Sequence, residues 1–250
     1  APFVKTGGLG DVAAALPKAL GRLGHRVTVV LPRYGFMPYP QGEYWGSCDV
    51  PLDGVARSVG FFRREFAPGV EIIFLEYAPF FDRPIPYGEY GDNRLRFALL
   101  ARAAIEYFRS RGERPDVFHC HDWQTGLVPV YLKGLYLEDP TVGRSPSVFT
   151  IHNIAYQGVF GADTLEILGL PWHFNTTDTL EFYGGVSYLK GGIVFSELVN
   201  TVSPQYARDI QGAEHGYGFD AILRGRGADL SGIDFDKLRD EFAGKVKRKH

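Results

Sequence analysis

At 250 residues the chain is long enough to form one large α/β domain with a full core. Apolar residues make up 45% and charged residues 22%, and the formal net charge of −2 argues against a nucleic-acid partner. Two cysteines, Cys48 and Cys120, without a CxxC spacing exclude a disulfide scaffold or zinc ribbon and suit a reducing, cytoplasmic setting, and no apolar run approaches the ~20 residues that span a bilayer, so no membrane is expected.

The chain opens on KTGGLGDV (5–12), a lysine and a glycine-dense turn ahead of a helix. Glycines let backbone N–H groups approach an oxyanion, and a helix N-terminus adds partial positive charge. The segment is either a phosphate cradle or simply a tight turn; it is neither GxGxxG nor a Walker loop. Val12, Leu16, Leu20 and Leu23 then repeat at helical spacing, with Pro17 predicted to kink the helix and Gly24 to stop it. VTVVL (27–31) reads as a strand buried on both faces. VARSVGFFRREF (55–66) and VEIIFLEY (70–77) flank Pro68-Gly69 as a hairpin. That hairpin and the Pro/Tyr-rich stretch 78–91 read as insertions at a sheet edge.

Further strands are predicted at 116–120, 147–151 and 198–202. Helices are predicted near 92–110, 125–135, 187–196, 204–211 and 235–248. Ser203-Pro204 marks a helix start, a capping serine followed by proline at the first helical position. Strands alternating with helices predict a Rossmann-like, doubly wound, mostly parallel sheet covered on both faces.

In such sheets ligands bind beyond the carboxyl ends of the strands. Those ends carry His121-Asp122-Trp123-Gln124, then His152-Asn153 with Tyr156 and Gln157, then Ser203-Pro204; Lys5-Thr6-Gly7-Gly8 opens the first helix. Four loops with polar or glycine-rich chemistry therefore meet on one edge. Each member also has a plainer reading. His119 and His121 form HxH, a metal pair or ordinary strand and crevice chemistry, with no obvious third ligand. Asp122 is a ligand contact or a helix cap. His152 is a working or a structural histidine. Trp123 suits the core, and Asn153 suits loop backbone. There is no GxSxG elbow, and only one acid is clearly placed in the crevice, which disfavours a hydrolase and a two-carboxylate glycosidase. Transfer from an activated phosphate donor needs no such acid.

Six segments together, KTGGLGDV (5–12), DVFHCHDWQTGLVPVYLK (116–133), VFTIHNIAYQGVF (148–160), SYLKGGIVFSE (187–197), NTVSPQYARDI (200–210) and GYGFDAILRGR (216–226), resemble the N-terminal domain of bacterial glycogen synthases and plant starch synthases, family 5 glycosyltransferases. The resemblance implies the N-terminal half of a GT-B fold over 1–234, with a helical junction at 235–250 toward a C-terminal domain missing here. It implies metal-free, retaining transfer of glucose from ADP-glucose to the non-reducing end of an α-1,4-glucan, by a cytoplasmic enzyme or, in a plant, a plastid one. This half would hold the acceptor and part of the donor and be inactive alone; the alternative is a stand-alone glucan-binding or regulatory domain. By the same resemblance Lys5, Gly7 and Gly8 lie at the donor phosphates, His152 lies against the transferring glucose, Asp11, Asp122 and Asn153 bond sugar hydroxyls, and Tyr87 lines the acceptor side. The family carries a strand before KTGG that is not seen ahead of Ala1-Pro2. It also has an asparagine where LSGID (230–234) carries Ser231, so no role passes to that position.

Overall fold

A computed structural model describes residues 3–4, 7–38 and 41–234 of the chain. The chain-order elements are α1 (Gly8–Arg22), β1 (Val27–Pro32), β2 (Glu43–Leu52), β3 (Val55–Ala67), β4 (Val70–Glu76), α2 (Ala78–Phe81), α3 (Asn93–Arg109), β5 (Phe118–His121), α4 (Leu127–Gly134), β6 (Ser147–Ile151), β7 (Val159–Gly161), α5 (Thr164–Leu168), β8 (Glu181–Phe182), β9 (Gly185–Ser187), α6 (Tyr188–Phe195), β10 (Leu198–Thr201), α7 (Pro204–Asp209), α8 (Asp220–Arg226) and β11 (Leu230–Gly232). The junction helix expected at 235–248 lies outside the described residues, as do Lys5 and Thr6.

The strands make two four-stranded sheets, ordered β1-β4-β3-β2 and β11-β10-β6-β5, with a small third sheet β7-β9-β8. The second sheet is parallel throughout, with Phe118 opposite Ser147, Leu198 opposite Val148 and Val199 opposite Leu230. This is the Rossmann-like α/β arrangement that the alternation of apolar strands and helices predicts. Strand β11 is an addition: LSG carries no apolar run to betray it, and it gains strand geometry from pairing with β10.

The first sheet corrects one expectation. The hairpin forms, turning at Pro68-Gly69 with Gly69 at φ 74°. Its second strand is no edge insertion, however: β4 pairs in parallel with β1 from Val27–Val70 to Pro32–Leu75. Ile72, Ile73, Phe74 and Leu75 are accordingly buried on both faces. The outer strand is β2, antiparallel to β3, whose alternating, largely exposed pattern gave no apolar signal. Helix α1 is continuous through Pro17, which is buried, and ends just before Gly24, at φ 91°.

Buried side chains from both large sheets and from α3, α4 and α6 form one hydrophobic core. Fully buried Arg96 on α3 is paired through the carbonyls of Phe80 (2.7 Å) and Pro86 (3.1 Å), which straps the 78–92 segment onto that helix. Among the described residues no helix is long and apolar enough to cross a membrane.

Helix α6 reaches the sheet only because two glycines let it. A Cβ at Gly192 would stand 2.3 Å from the Phe149 ring of β6, and one at Gly191 would stand 2.7 Å from Val130 of α4. Gly192→Ala gains about 1 kcal/mol of helix propensity and meets an overpacking penalty of about 1–3 kcal/mol or more. At 2.3 Å from a buried ring the penalty should win. Urea unfolding is expected to show net destabilisation of at least about 1 kcal/mol; an unchanged or raised midpoint would mean that α6 is not seated as described.

Candidate functional site

Strands β5, β6 and β10 end side by side, so their following loops share one rim. The hub of that rim is Asp122. Its Oδ1 accepts the backbone N–H of His152 at 2.7 Å and of Asn153 at 3.3 Å, while its own N–H donates to the Thr150 carbonyl at 3.0 Å. The carboxylate thus pins the loop after β6 to the loop after β5. To do so the residue adopts φ 55° and ψ −178°, a region nearly restricted to glycine and costing about 1–3 kcal/mol. It does not cap the following helical turn, since no side-chain cap bond forms there. Thr125 does the local tethering instead: its Oγ1 accepts from the His121 N–H (2.6 Å) and donates to the His121 carbonyl (2.8 Å).

Three histidines line up beside Asp122. His121 Nδ1 and His152 Nε2 are 3.0 Å apart, and the His119 and His121 rings lie 4.3 Å apart at 31°. His119 Nε2 meets Thr150 Oγ1 at 2.7 Å, and Thr150 Oγ1 donates to Asn200 Oδ1 of β10 at 2.6 Å. His119 and His121 do share a face, as their alternation on a strand predicts, yet their partners are a ring nitrogen and a hydroxyl. Among the described residues no group of three or more His, Cys, Asp or Glu is disposed to hold a metal ion.

Burial sets the charge state here. It holds His152 down at about 4, helped by His119, and pushes His121 well below the ordinary histidine range, helped by His119 and His152. Burial raises Asp122 to about 6 against the two N–H groups that favour its anion. At neutral pH the rings are therefore uncharged and the carboxylate is mostly ionised.

A hollow of about 460 Å³ opens against this rim, lined by His152, Asn153, Val202, Tyr206, Asp209, His215 and Tyr217. Tyr206 comes from α7, whose start is capped by Ser203 Oγ accepting from the Tyr206 N–H at 3.0 Å. The Tyr206 hydroxyl accepts the Ile154 N–H at 3.1 Å, a second tie on the loop after β6. Tyr206, His215 and Tyr217 escaped the sequence reading; the Ser-Pro helix start, which places Tyr206 one turn in, was the available signal. A second hollow of about 380 Å³, lined by Asp163, Glu166, Leu170 and Trp172 among others, gathers none of the strand-end residues.

The other predicted residues fall as follows. Gly7 and Gly8 begin α1, exposed, and a Cβ at either would meet nothing within 4 Å. Asp11 is exposed in the first turn of that helix. Tyr87 is half-buried and packs against the core near Tyr34. Asn153 is exposed at the rim, with its Oδ1 accepting the Ala155 N–H at 3.0 Å. Trp123 is core, edge-on to Phe97 at 4.7 Å. The structure brings His152, Asn153 and Asp122 together, and Lys5 lies outside the described residues.

Comparison with known proteins places this rim in context. The starch synthase catalytic domain family matches residues 1–225. A glycogen synthase of Koribacter versatilis is 45% identical over 238 residues, covering 93% of this chain and 49% of that protein. One from Geotalea uraniireducens is 42% identical over 248 residues, covering 94% of this chain and 51% of that protein. The catalytic domain of starch synthase IV from Arabidopsis thaliana, solved bound to ADP and acarbose, superposes with a TM-score of 0.85 at 35% identity, over 93% of this chain and 49% of that one. The chain thus spans about half the length of the curated relatives it matches.

Because the folded pKa of Asp122 lies above its ordinary 3.8, ionising it costs the folded state more than the unfolded chain. Its contribution to stability is full below 3.8 and lost as pH rises through about 6, roughly 3 kcal/mol in all. Asp122→Asn does not titrate. Urea unfolding from pH 4 to 7 should therefore show the variant gaining on wild type by about 2–3 kcal/mol as pH rises. A pH-independent difference would show that the carboxylate is not desolvated.

Proposed function

The chain belongs to the starch synthase catalytic domain family, and from that membership we propose that it is the acceptor-binding and partly donor-binding half of a retaining glucosyltransferase. The reaction is transfer of glucose from ADP-glucose to the non-reducing end of an α-1,4-glucan such as glycogen. The single observation that carries this reading is the rim itself: family-matching residues that follow β6 and β10 line an open hollow with His152 at its edge, and Asp122, following β5, pins the loop that bears His152. The ADP and acarbose bound to the Arabidopsis domain support a nucleotide-sugar donor and a glucan acceptor.

In this proposal Lys5 and the N–H groups at Gly7 and Gly8 face the donor phosphates, where negative charge grows as the ADP oxygen leaves. The exposed, unobstructed start of α1 supports that role. His152 holds the transferring glucose by its ring, and its main-chain carbonyl faces the anomeric carbon as that carbon becomes positive. Asp122 spends Oδ1 on the loop and offers Oδ2 to a sugar hydroxyl. Asn153 and Asp11 serve other hydroxyls, and Tyr87 flanks the acceptor. The second GT-B domain, which the half-length coverage leaves outside this chain, supplies the rest of the donor site and closes the cleft.

The test is ADP release from ADP-glucose in the presence of glycogen. The complete protein should turn over in the ordinary enzyme range of about 1–1000 s⁻¹, and this chain alone should be silent. Turnover by the chain alone, or none by the complete protein, would overturn the reading.

In the complete protein His152→Ala should lower kcat by about 100-fold through misplacement of the reacting carbon, with the melting temperature nearly unchanged. A structural histidine gives the reverse pattern, a lower melting temperature with normal kcat in the protein that remains folded.

A further inference from the structure

His152 is held at two points by two different residues. Asp122 takes its backbone N–H, and His121 takes ring nitrogen Nε2 at 3.0 Å. His121 is itself immobilised. Both its main-chain N–H and its carbonyl are bonded to Thr125 Oγ1, and its ring lies against His119. His119 is anchored in turn through Thr150 to Asn200. This chain of contacts runs from β10 through β6 and β5 to the rim.

Hydrogen bookkeeping fixes what the chain does. Thr150 has one hydroxyl hydrogen and donates it to Asn200 Oδ1, so toward His119 it can only accept. His119 is therefore the Nε2–H tautomer, and its Nδ1 is bare. His121 Nδ1 and His152 Nε2 stand 3.0 Å apart, a hydrogen-bond distance that holds one hydrogen and leaves no room for two. Whichever ring carries it, Nε2 of His152 is consumed. Its Nδ1 is then the one ring atom left for a ligand, on a residue that borders the open hollow.

We propose that His121 is a positioning residue for His152: through the Nδ1–Nε2 contact it fixes the ring's rotamer and tautomer, so that Nδ1 alone meets a hydroxyl of the sugar in the hollow. The assignment rests on the glucosyl-transfer reading of the site. A freely rotating imidazole would present either nitrogen, in either protonation pattern, and would sample poses in which the reacting carbon is misplaced. The plainer alternative, a buried histidine pair that only fills space, predicts that ring volume is what matters.

Two substitutions in the complete protein separate these readings. His121→Phe keeps a ring and removes the nitrogen. His121→Asn puts an amide near the position of Nδ1, able to donate or accept. With glycogen and ADP-glucose, Phe should lower kcat by about 10–100-fold with the glucan KM within twofold, and Asn should recover most of the loss. A readout independent of turnover is the two-bond ¹H–¹⁵N spectrum of histidine-labelled protein, with His152 identified by its loss in His152→Ala. Wild type should show His152 as a single neutral tautomer, and Phe should turn it into an averaged mixture. Normal kcat in the Phe variant, failure of a folded Asn variant to recover, or a mixed His152 tautomer in wild type would each overturn the assignment. Should the Phe variant not fold, the wild-type spectrum still decides. A fixed tautomer in a complete protein that transfers no glucose would leave His121's role standing and sink the glucosyl-transfer reading instead.

Discussion

The candidate site depends on one desolvated carboxylate. Asp122 is 8% exposed, sits in backbone geometry that disfavours any side chain, and spends one oxygen on two consecutive N–H groups of the neighbouring loop. Glycine would relieve the strain of about 1–3 kcal/mol. It would also remove the acceptor of the His152 and Asn153 N–H groups, at about 1–3 kcal/mol where such a donor is left unmade away from water, as at the half-buried His152. The two costs are of similar size, so the bonds to the loop offset the strain that aspartate carries here. The orientation of His152 follows from two contacts, its main-chain N–H on Asp122 and its ring nitrogen on His121.

That carboxylate can act only because the strands deliver their ends in register. Thr150 illustrates the coupling: its carbonyl accepts from Asp122, and its hydroxyl joins His119 on β5 to Asn200 on β10. At the far end of β6, Glu197 accepts the Ser147 N–H at 2.6 Å and pairs with Lys133 of α4. Both ends of β6 are thus tied by side chains to neighbouring elements. The glycines on the helices perform the complementary task. Gly126 packs against the Tyr188 carbonyl, where a Cβ would stand 1.9 Å away, so the turn after Asp122 and the start of α6 share one seam. Core packing and loop geometry are one system here.

How far the sequence revealed this differs by signal type. Parallel strands were plain from the apolar runs VTVVL, SVFTI and LVNTV. Only SVFTI is buried nearly throughout, however: VTVVL, at the end of its sheet, is half-buried rather than covered on both faces, and Leu198 of LVNTV is exposed. The strand-end polar residues were plain too, because topology sends them to one rim. Strand β2 was invisible: a half-exposed outer strand with polar residues facing out carries no apolar run. The placement of β4 beside β1 was misjudged for another reason. A tight Pro-Gly hairpin shows that β3 and β4 pair, and says nothing of what lies on β4's other edge. Within the site, the HxH spacing showed that His119 and His121 share a face, but not that the face meets His152. That contact joins residues 31 apart in sequence and exists only once β5 and β6 are paired. The hollow's far wall, Tyr206, His215 and Tyr217, depends on helix and loop packing that no local pattern encodes.

The electrostatics of the rim point one way. Three imidazoles are driven toward neutrality by burial, and His121 and His152 also by their histidine neighbours, while Asp122, although raised to about 6, is still mostly ionised at neutral pH. In the proposed transfer, a protonated His152 would place a full positive charge beside a sugar carbon that itself becomes positive as its bond to phosphate breaks, and in a site of low dielectric that repulsion would slow the step. A neutral ring can hold a hydroxyl without that penalty, and the Asp122 anion nearby favours the developing positive charge. Strong positive charge is needed only at the departing phosphate, on the opposite side of the breaking bond. The proposal assigns that charge to Lys5 and the helix start at Gly7 and Gly8. The division of charge across the reacting bond therefore gives a physical reason for burying histidines that would otherwise be half-protonated near pH 6.5.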